Sequence, residues 1–156
     1  MTLYLQTNHL EAIRKHGEQT YPRECCGLLL GTFKGDDKTV HELWRVDNSW
    51  DGALETAVKE SIGADAQGSE RRFLIRPQDY LDGQKYAREK NLDIIGNYHS
   101  HPDHPARPSQ FDVDTATFSG YSHIIVAIEK GAPKDLTCWL FNDDRAFEPE
   151  ALETLT

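Results

Sequence analysis

Residues 99–112, HSHPDHPARPSQFD, bring three histidines and two aspartates into a stretch interrupted by Pro102, Pro105 and Pro108. Imidazole and carboxylate are zinc ligands, with bonds of about 2.0–2.2 Å in a tetrahedral array. His99 and His101 are two residues apart. In an extended strand, side chains at i and i+2 leave the same face, so both imidazoles can converge on one ion. The prolines keep the following loop stiff, which lowers the entropy lost in holding a ligand in place. A third ligand is required. Asp112 is the candidate, giving a His-His-Asp set with one open position, the mark of a catalytic rather than a structural zinc site. His104, Asp103 and Asp114 compete with it, and spacing alone leaves a His99-His101-His104 set open.

The same residues have simpler readings. Ser109-x-x-Asp112 has the form of a capping box, in which serine caps a helix and the acid returns to its backbone N–H. His104, between Asp103 and Pro105, reads as an exposed loop residue, as do His9, His16 and His41 at the surface. His123 reads as a partly buried histidine at a strand start.

The elements that must hold these residues can be read from hydrophobic period and turn chemistry. Asn8 to about Thr20 reads as a helix, with Leu10, Ile13 and Arg14 inward and His16 and Glu18 outside; Tyr21-Pro22 stops it. CGLLLGTF (26–33) reads as a buried strand, and TVHELWRV (39–46), after the turn at Gly35-Asp36-Asp37, as its hairpin partner. Residues 47–70 are polar and weakly patterned. A segment this long reads as a functional loop or a solvated one, with a short helix around Leu54–Ile62. RRFLIR (71–76) reads as a strand. Pro77 opens a helix to about Lys90 with Tyr80, Leu81, Gln84 and Ala87 as core contacts. LDIIGNYHSH (92–101) reads as a strand and SQFDVDTATF (109–118) as a helix. SHIIVAIEK (122–130) and DLTCWLFN (135–142) read as a closing hairpin. The acidic tail after Asp143 is expected to pack loosely. Strands and helices that alternate between terminal hairpins indicate an α/β (α+β) domain with a mixed sheet flanked by helices.

The chain has 156 residues, which suits a single domain over 1–156 with its own core. Its charged content of 28% and apolar content of 38% place it among globular proteins. No apolar run approaches the roughly 18–20 residues of a membrane span, and MTLYLQTNHLEAIRKHGE has no signal-peptide pattern. Cys25, Cys26 and Cys138 are odd in number and form no C-x-x-C pair, so they read as small buried apolar residues of a cytoplasmic protein. A net charge of −9 disfavours nucleic acid and anionic membrane surfaces as partners.

Taken together, His99, His101, Pro102, Ser109 and Asp112 spell H-x-H-P-x6-S-x2-D. This resembles the signature of the JAMM (MPN+) metalloproteases, and the order of elements is similar over nearly the whole chain. The resemblance implies a single MPN-type domain with a curved, cytidine-deaminase-like sheet. It implies Zn²⁺ held by His99, His101 and Asp112, with a water as fourth ligand whose pKa zinc lowers to roughly 7. It promotes Glu24, in PRECCGLLLG, to general base, which residue type and position alone would leave as a solvated charge. It assigns Ser109 as hydrogen-bond donor to the oxyanion. MPN+ enzymes cleave peptide or isopeptide bonds after the C-terminal Gly-Gly of a ubiquitin-like protein. YHSHPDHPARPSQFD looks like small stand-alone prokaryotic members associated with ThiS/MoaD-type sulfur carriers, from which they release a cysteine or short extension. The competing expectations are a non-catalytic MPN scaffold, and a zinc-binding module with a closed four-ligand site.

Overall fold

The computed structural model describes residues 1–48, 73, 75–116 and 118–155. Within them run β1 (Thr2–Gln6), α1 (Thr7–Thr20), β2 (Cys26–Lys34), β3 (Asp37–Val46), α2 (Pro77–Glu89), β4 (Asp93–Pro102), α3 (Gln110–Thr115), β5 (Ser122–Glu129), β6 (Ala132–Phe141), β7 (Phe147–Pro149) and β8 (Ala151–Leu155). The strands form one eight-stranded mixed sheet in the order β7-β6-β5-β4-β2-β3-β1-β8. The expected α+β architecture, a curved mixed sheet flanked by helices, is the one observed. The central strands β2, β4 and β5 are buried on both faces, which is why they read as near-continuous apolar runs rather than alternations.

Helix α1 covers one face. Leu10 and Ile13 pack with Leu29, Tyr98, Ile124, Val126 and Ile128. The helix comes close at Gly17, where a Cβ would stand 2.7 Å from the Ile128 side chain. Helix α2 covers the other face through Ala87, against Cys26, Leu28, Leu30 and Val46. The functional stretch lies on this second face, at the C-terminal end of β4.

Both hairpins form as expected: β2 pairs antiparallel with β3, and β5 with β6. Several other expectations are corrected. His9 and His16 are buried rather than superficial, because α1 turns that side to the sheet; the His16 Nδ1 lies 2.8 Å from the Tyr98 hydroxyl. On α2, Leu81 is 59% exposed and Gln84 is also exposed, while Gly83 faces inward. The helix sits so close to the sheet that a Cβ at Gly83 would stand 2.6 Å from Leu28, so its contact stripe is rotated toward its small residues. Helix α3 ends at Thr115, before the expected 118. Phe73, Ile75 and Arg76 are not in a strand; the rest of 71–76 lies outside the described residues, as do the helix expected at 54–62 and nearly all of the 47–70 loop.

The tail is not loosely packed. β7 pairs with β6 at one edge of the sheet, and β8 runs parallel to β1 at the other. Only Glu150 separates them in the chain, so the sheet must curl until its two edges nearly meet. At this seam the Glu150 carboxylate is fully buried, 2.9 Å from the equally buried Lys38 ammonium on β3. Ser122 on β5 and Cys138 on β6 complete its hydrogen bonds. Sequence patterning did not show this, because a short strand of mixed polarity after an acidic run carries no period of its own.

Two predictions follow from the buried polar groups. Removing one member of a buried ion pair leaves the other uncompensated, so Glu150→Ala is expected to cost about 3–5 kcal/mol in urea unfolding. Replacing Lys38 by Met and Glu150 by Leu together should cost less than that single change. Burial, with Arg45 adding to it, pushes the His16 imidazole down to about 4. The unfolded ring takes up its proton near 6.5, so between those values the unfolded chain binds more protons. Thermal stability should therefore fall as pH drops from about 6.5 to about 4, and the fall should be shallower in His16→Gln.

Candidate metal centre

The antiparallel ladder of β2 and β4 pairs Cys26 with His99 and Gly27 with Tyr98. Just beyond it, the Ser100 N–H donates to the Cys25 carbonyl at 3.2 Å and the Cys25 N–H donates to Ser100 Oγ at 2.8 Å. Continued by one more residue, this register sets Glu24 alongside His101. Glu24 is 2% exposed, and Asn48 holds its carbonyl oxygen at 3.0 Å. A carboxylate oxygen of Glu24 and a ring nitrogen from each of His99 and His101 all lie within 4.8 Å of one another.

Asp112 reaches the same place from α3. Its Oδ1 lies 3.3 Å from His99 Nε2 and its Oδ2 lies 3.2 Å from His101 Nε2, while the two Nε2 atoms are 3.2 Å apart. Tetrahedral geometry with bonds of about 2.0–2.1 Å requires ligand–ligand separations of about 3.3 Å. The two imidazole nitrogens and the carboxylate are thus spaced as ligands of one such ion would be, each imidazole facing a different carboxylate oxygen.

Proton positions sharpen this. The Pro105 carbonyl can only accept, so His101 Nδ1, 2.7 Å away, is the protonated nitrogen. The other ring nitrogen, Nε2, faces the Asp112 carboxylate and His99. Burial holds the His99 ring below its usual pKa, and the facing carboxylate only partly offsets this. Burial pulls Asp112 upward, but the imidazoles facing it outweigh that and hold its carboxyl well below the usual range. Two imidazoles and one carboxylate converging on a common point form a donor set that, with the ring nitrogens deprotonated by binding, fits a divalent cation.

The other candidates are placed elsewhere. The His104 ring stacks on that of His101, with centroids 4.1 Å apart, and its Nδ1 donates to the Pro102 carbonyl at 2.8 Å. Asp103, at φ 56, accepts from the Tyr21 hydroxyl and from the Lys130 N–H, so it fastens the loop to α1 and to the β5–β6 turn. Asp114 is exposed and accepts from Gln110.

Ser109 and Asp112 also make the full capping box. Ser109 Oγ accepts from the Asp112 N–H at 3.1 Å, and Asp112 Oδ2 accepts from the Ser109 N–H at 2.8 Å. The capping reading of S-x-x-D is the one observed, and it leaves the Asp112 carboxylate facing both histidines. The Ser109 hydroxyl accepts with its oxygen and keeps its own proton for donation.

Three supports escaped sequence reasoning. The Pro105 carbonyl is backbone and carries no residue-type signal. Ser100 alternates away from its histidine neighbours. Phe73 stacks on His99 with centroids 4.4 Å apart and meets Phe111 edge-on, from a stretch read as a strand. Cys25 and Cys26 are buried as expected, and burial pushes the Cys25 thiol up to about 12.

The capping role yields a prediction separate from any chemistry. Ser109→Ala should lower folding stability by about 1 kcal/mol in urea unfolding. It should leave metal content unchanged, since none of the three converging donor atoms belongs to it.

Residues 6–142 match the family described as prokaryotic homologs of the JAB domain. No curated protein matches. Among solved structures, a protein from Salinibacter ruber is 38% identical, with a TM-score of 0.70 over 97% of this chain and 91% of that one. A protein from Desulfitobacterium hafniense is 27% identical, with a TM-score of 0.78 over 98% of this chain and 92% of that one. A JAB1/MPN domain protein from Archaeoglobus fulgidus is 19% identical, with a TM-score of 0.58 over 99% and 97% of the two chains, and shows the shared fold.

Proposed function

The chain belongs to the prokaryotic homologs of the JAB domain, and from that premise we propose that it is a zinc-dependent metallopeptidase with His99, His101 and Asp112 as its metal ligands. The observation that carries this reading is the convergence of two buried imidazoles, their Nε2 atoms 3.2 Å apart, on one buried carboxylate whose Oδ1 lies 3.3 Å from His99 and whose Oδ2 lies 3.2 Å from His101. Zinc is proposed because two nitrogens and an oxygen in a tetrahedral arrangement suit it. One protein of the same fold is described as a metalloprotease-like zinc site.

Bound there, zinc supplies a Lewis acid that activates water for attack on an amide carbonyl. The protein's own residues do the rest. Glu24, buried beside both imidazoles, takes the proton from the attacking water and delivers it to the leaving amine. Ser109 donates its hydroxyl proton to the carbonyl oxygen as that oxygen gains negative charge. The Pro105 carbonyl and the capping box fix the His101 ring and the Asp112 carboxylate before substrate arrives, so little reorganisation is needed.

The substrate in this reading is the amide bond after the C-terminal Gly-Gly of a ubiquitin-like protein, a ThiS/MoaD-type sulfur carrier in particular. The products are the carrier and a cysteine or short C-terminal extension. The support is the resemblance of the HSHPDHPARPSQFD stretch to stand-alone enzymes of that kind. The acidic chain, at −9, would not attract nucleic acid, and no helix among the described residues is long and apolar enough to cross a membrane.

The test combines elemental analysis with intact-mass detection of cleavage, using a carrier bearing a short extension after its Gly-Gly. Wild type should hold one zinc per chain, and His99→Ala and Asp112→Ala should lose it. Glu24→Gln should keep its zinc and lose cleavage by roughly 10²–10⁴-fold. Zinc without cleavage of any carrier would favour the zinc-binding module. Absence of zinc from wild type, with partner binding intact, would favour the scaffold.

A further inference from the structure

His101 carries its Nδ1 proton to the Pro105 carbonyl, but among the described residues His99 has no such partner. The His99 Nδ1 is a buried atom without a hydrogen-bond partner among the described residues. A ring that offers Nε2 to a metal must keep its proton on Nδ1, and metal-bound histidines almost always donate that proton to an oxygen. The Phe73 ring stacked on His99 leaves only the edge of the imidazole for such an acceptor.

A second buried atom without a partner lies on the same strand: Oδ1 of Asn97. Asn97 is two residues before His99, and the register is continuous across both. β2 pairs Leu28 with Asn97 and Cys26 with His99, and β5 pairs His123 with Asn97 and Ile125 with His99. The bulge in the β2–β4 ladder falls earlier, at Leu29/Leu30, so it does not disturb the alternation here. Asn97 and His99 therefore rise from the same face as neighbours, with Cα atoms about 6.5–7 Å apart, within reach of two side chains or one water between them. Tyr80 on α2 packs against this same face of the sheet. Asn97 is buried on a face with the apolar Cys26 and Leu28, and with His123 opposite it on β5. A buried amide oxygen without a hydrogen-bond partner is destabilising.

We propose that Asn97 is a positioning residue of the metal centre, whose Oδ1 accepts the Nδ1 proton of His99, directly or through one water. It thereby fixes the ring's tautomer and angle, as the Pro105 carbonyl does for His101. The proposal rests on the metallopeptidase reading, in which His99 is a ligand through Nε2.

The experiment is a zinc titration against a chromophoric chelator, with wild type, His99→Ala, Asn97→Leu and Asn97→Asp, each checked for folding by circular dichroism. Asn97→Leu keeps the volume and removes the acceptor, and should weaken zinc binding by about 10–100-fold. Asn97→Asp offers a charged acceptor and should bind zinc at least as tightly as wild type. A purely packing role gives the reverse order, with Leu harmless and the buried Asp the worse substitution. Wild-type affinity in Asn97→Leu, with binding lost in His99→Ala, overturns this proposal and leaves the metallopeptidase reading standing. Failure of wild type to bind zinc overturns both. Should Asn97→Leu not fold, a structure of zinc-loaded wild type decides. Oδ1 within about 3.2 Å of His99 Nδ1, or one water shared by the two, supports the proposal. Oδ1 turned to any other donor overturns it.

Discussion

Cys26 lies opposite His99, and one step further the Cys25 and Ser100 backbones and the Ser100 hydroxyl close a reciprocal pair of hydrogen bonds. The meeting of Glu24 with both histidines depends on this register. It fixes Glu24, which lies just before β2 and 75 residues earlier in the chain than His99, beside the imidazoles. Because strand side chains alternate with period two, a slip of one residue would turn both histidines toward α1 and send Tyr98 into the site. Tyr98 helps prevent that. Its ring lies across Gly27, where a Cβ would stand 2.3 Å away, and its hydroxyl meets His16 on the opposite face. The burial that keeps α1 on the sheet is therefore also what keeps the histidines facing the other way.

The placement of Asp112 depends on a different device. Asp112 reaches the histidines because Ser109 starts a helix there, and the same carboxylate that closes the cap faces both Nε2 atoms. An acid engaged by a backbone N–H has little rotameric freedom left, so its orientation is set by the cap before any ion arrives. The intervening loop is stiff for reasons beyond its prolines. Asp103 binds Tyr21 and Lys130, and Thr137 on β6 donates to the Ala106 carbonyl. Three separate elements thus hold a short loop whose carbonyl at Pro105 orients the His101 ring.

The buried pair of Lys38 and Glu150 at the seam of the sheet stands apart from the candidate centre and serves the fold. A charge pair in that position gains little over well-packed apolar residues, but it admits only one way for the two edges to meet. The edge strands β7 and β8, only three and five residues long, are held there with Glu150 as the hinge between them.

The sequence alone determined the α+β class, the two hairpins, the helix opened at Pro77 and the whole of H-x-H-P-x6-S-x2-D, because each is written in local period, turn chemistry or a fixed spacing. It also determined that His99 and His101 share a face, which follows from strand geometry once the strand is read. It left the choice among Asp112, His104, Asp103 and Asp114 open, since that depends on how the loop folds back. It gave no physical reason for Glu24, whose partners are distant in the chain; only resemblance pointed there. Burial of His9 and His16, exposure of Leu81, and the closing strands β1, β7 and β8 were decided by tertiary structure. Those residues take their environment from the surface packed against them. The edge strands are too short and too mixed in polarity to carry a signal of their own, and they exist because a curled sheet presents unpaired edges for them to join.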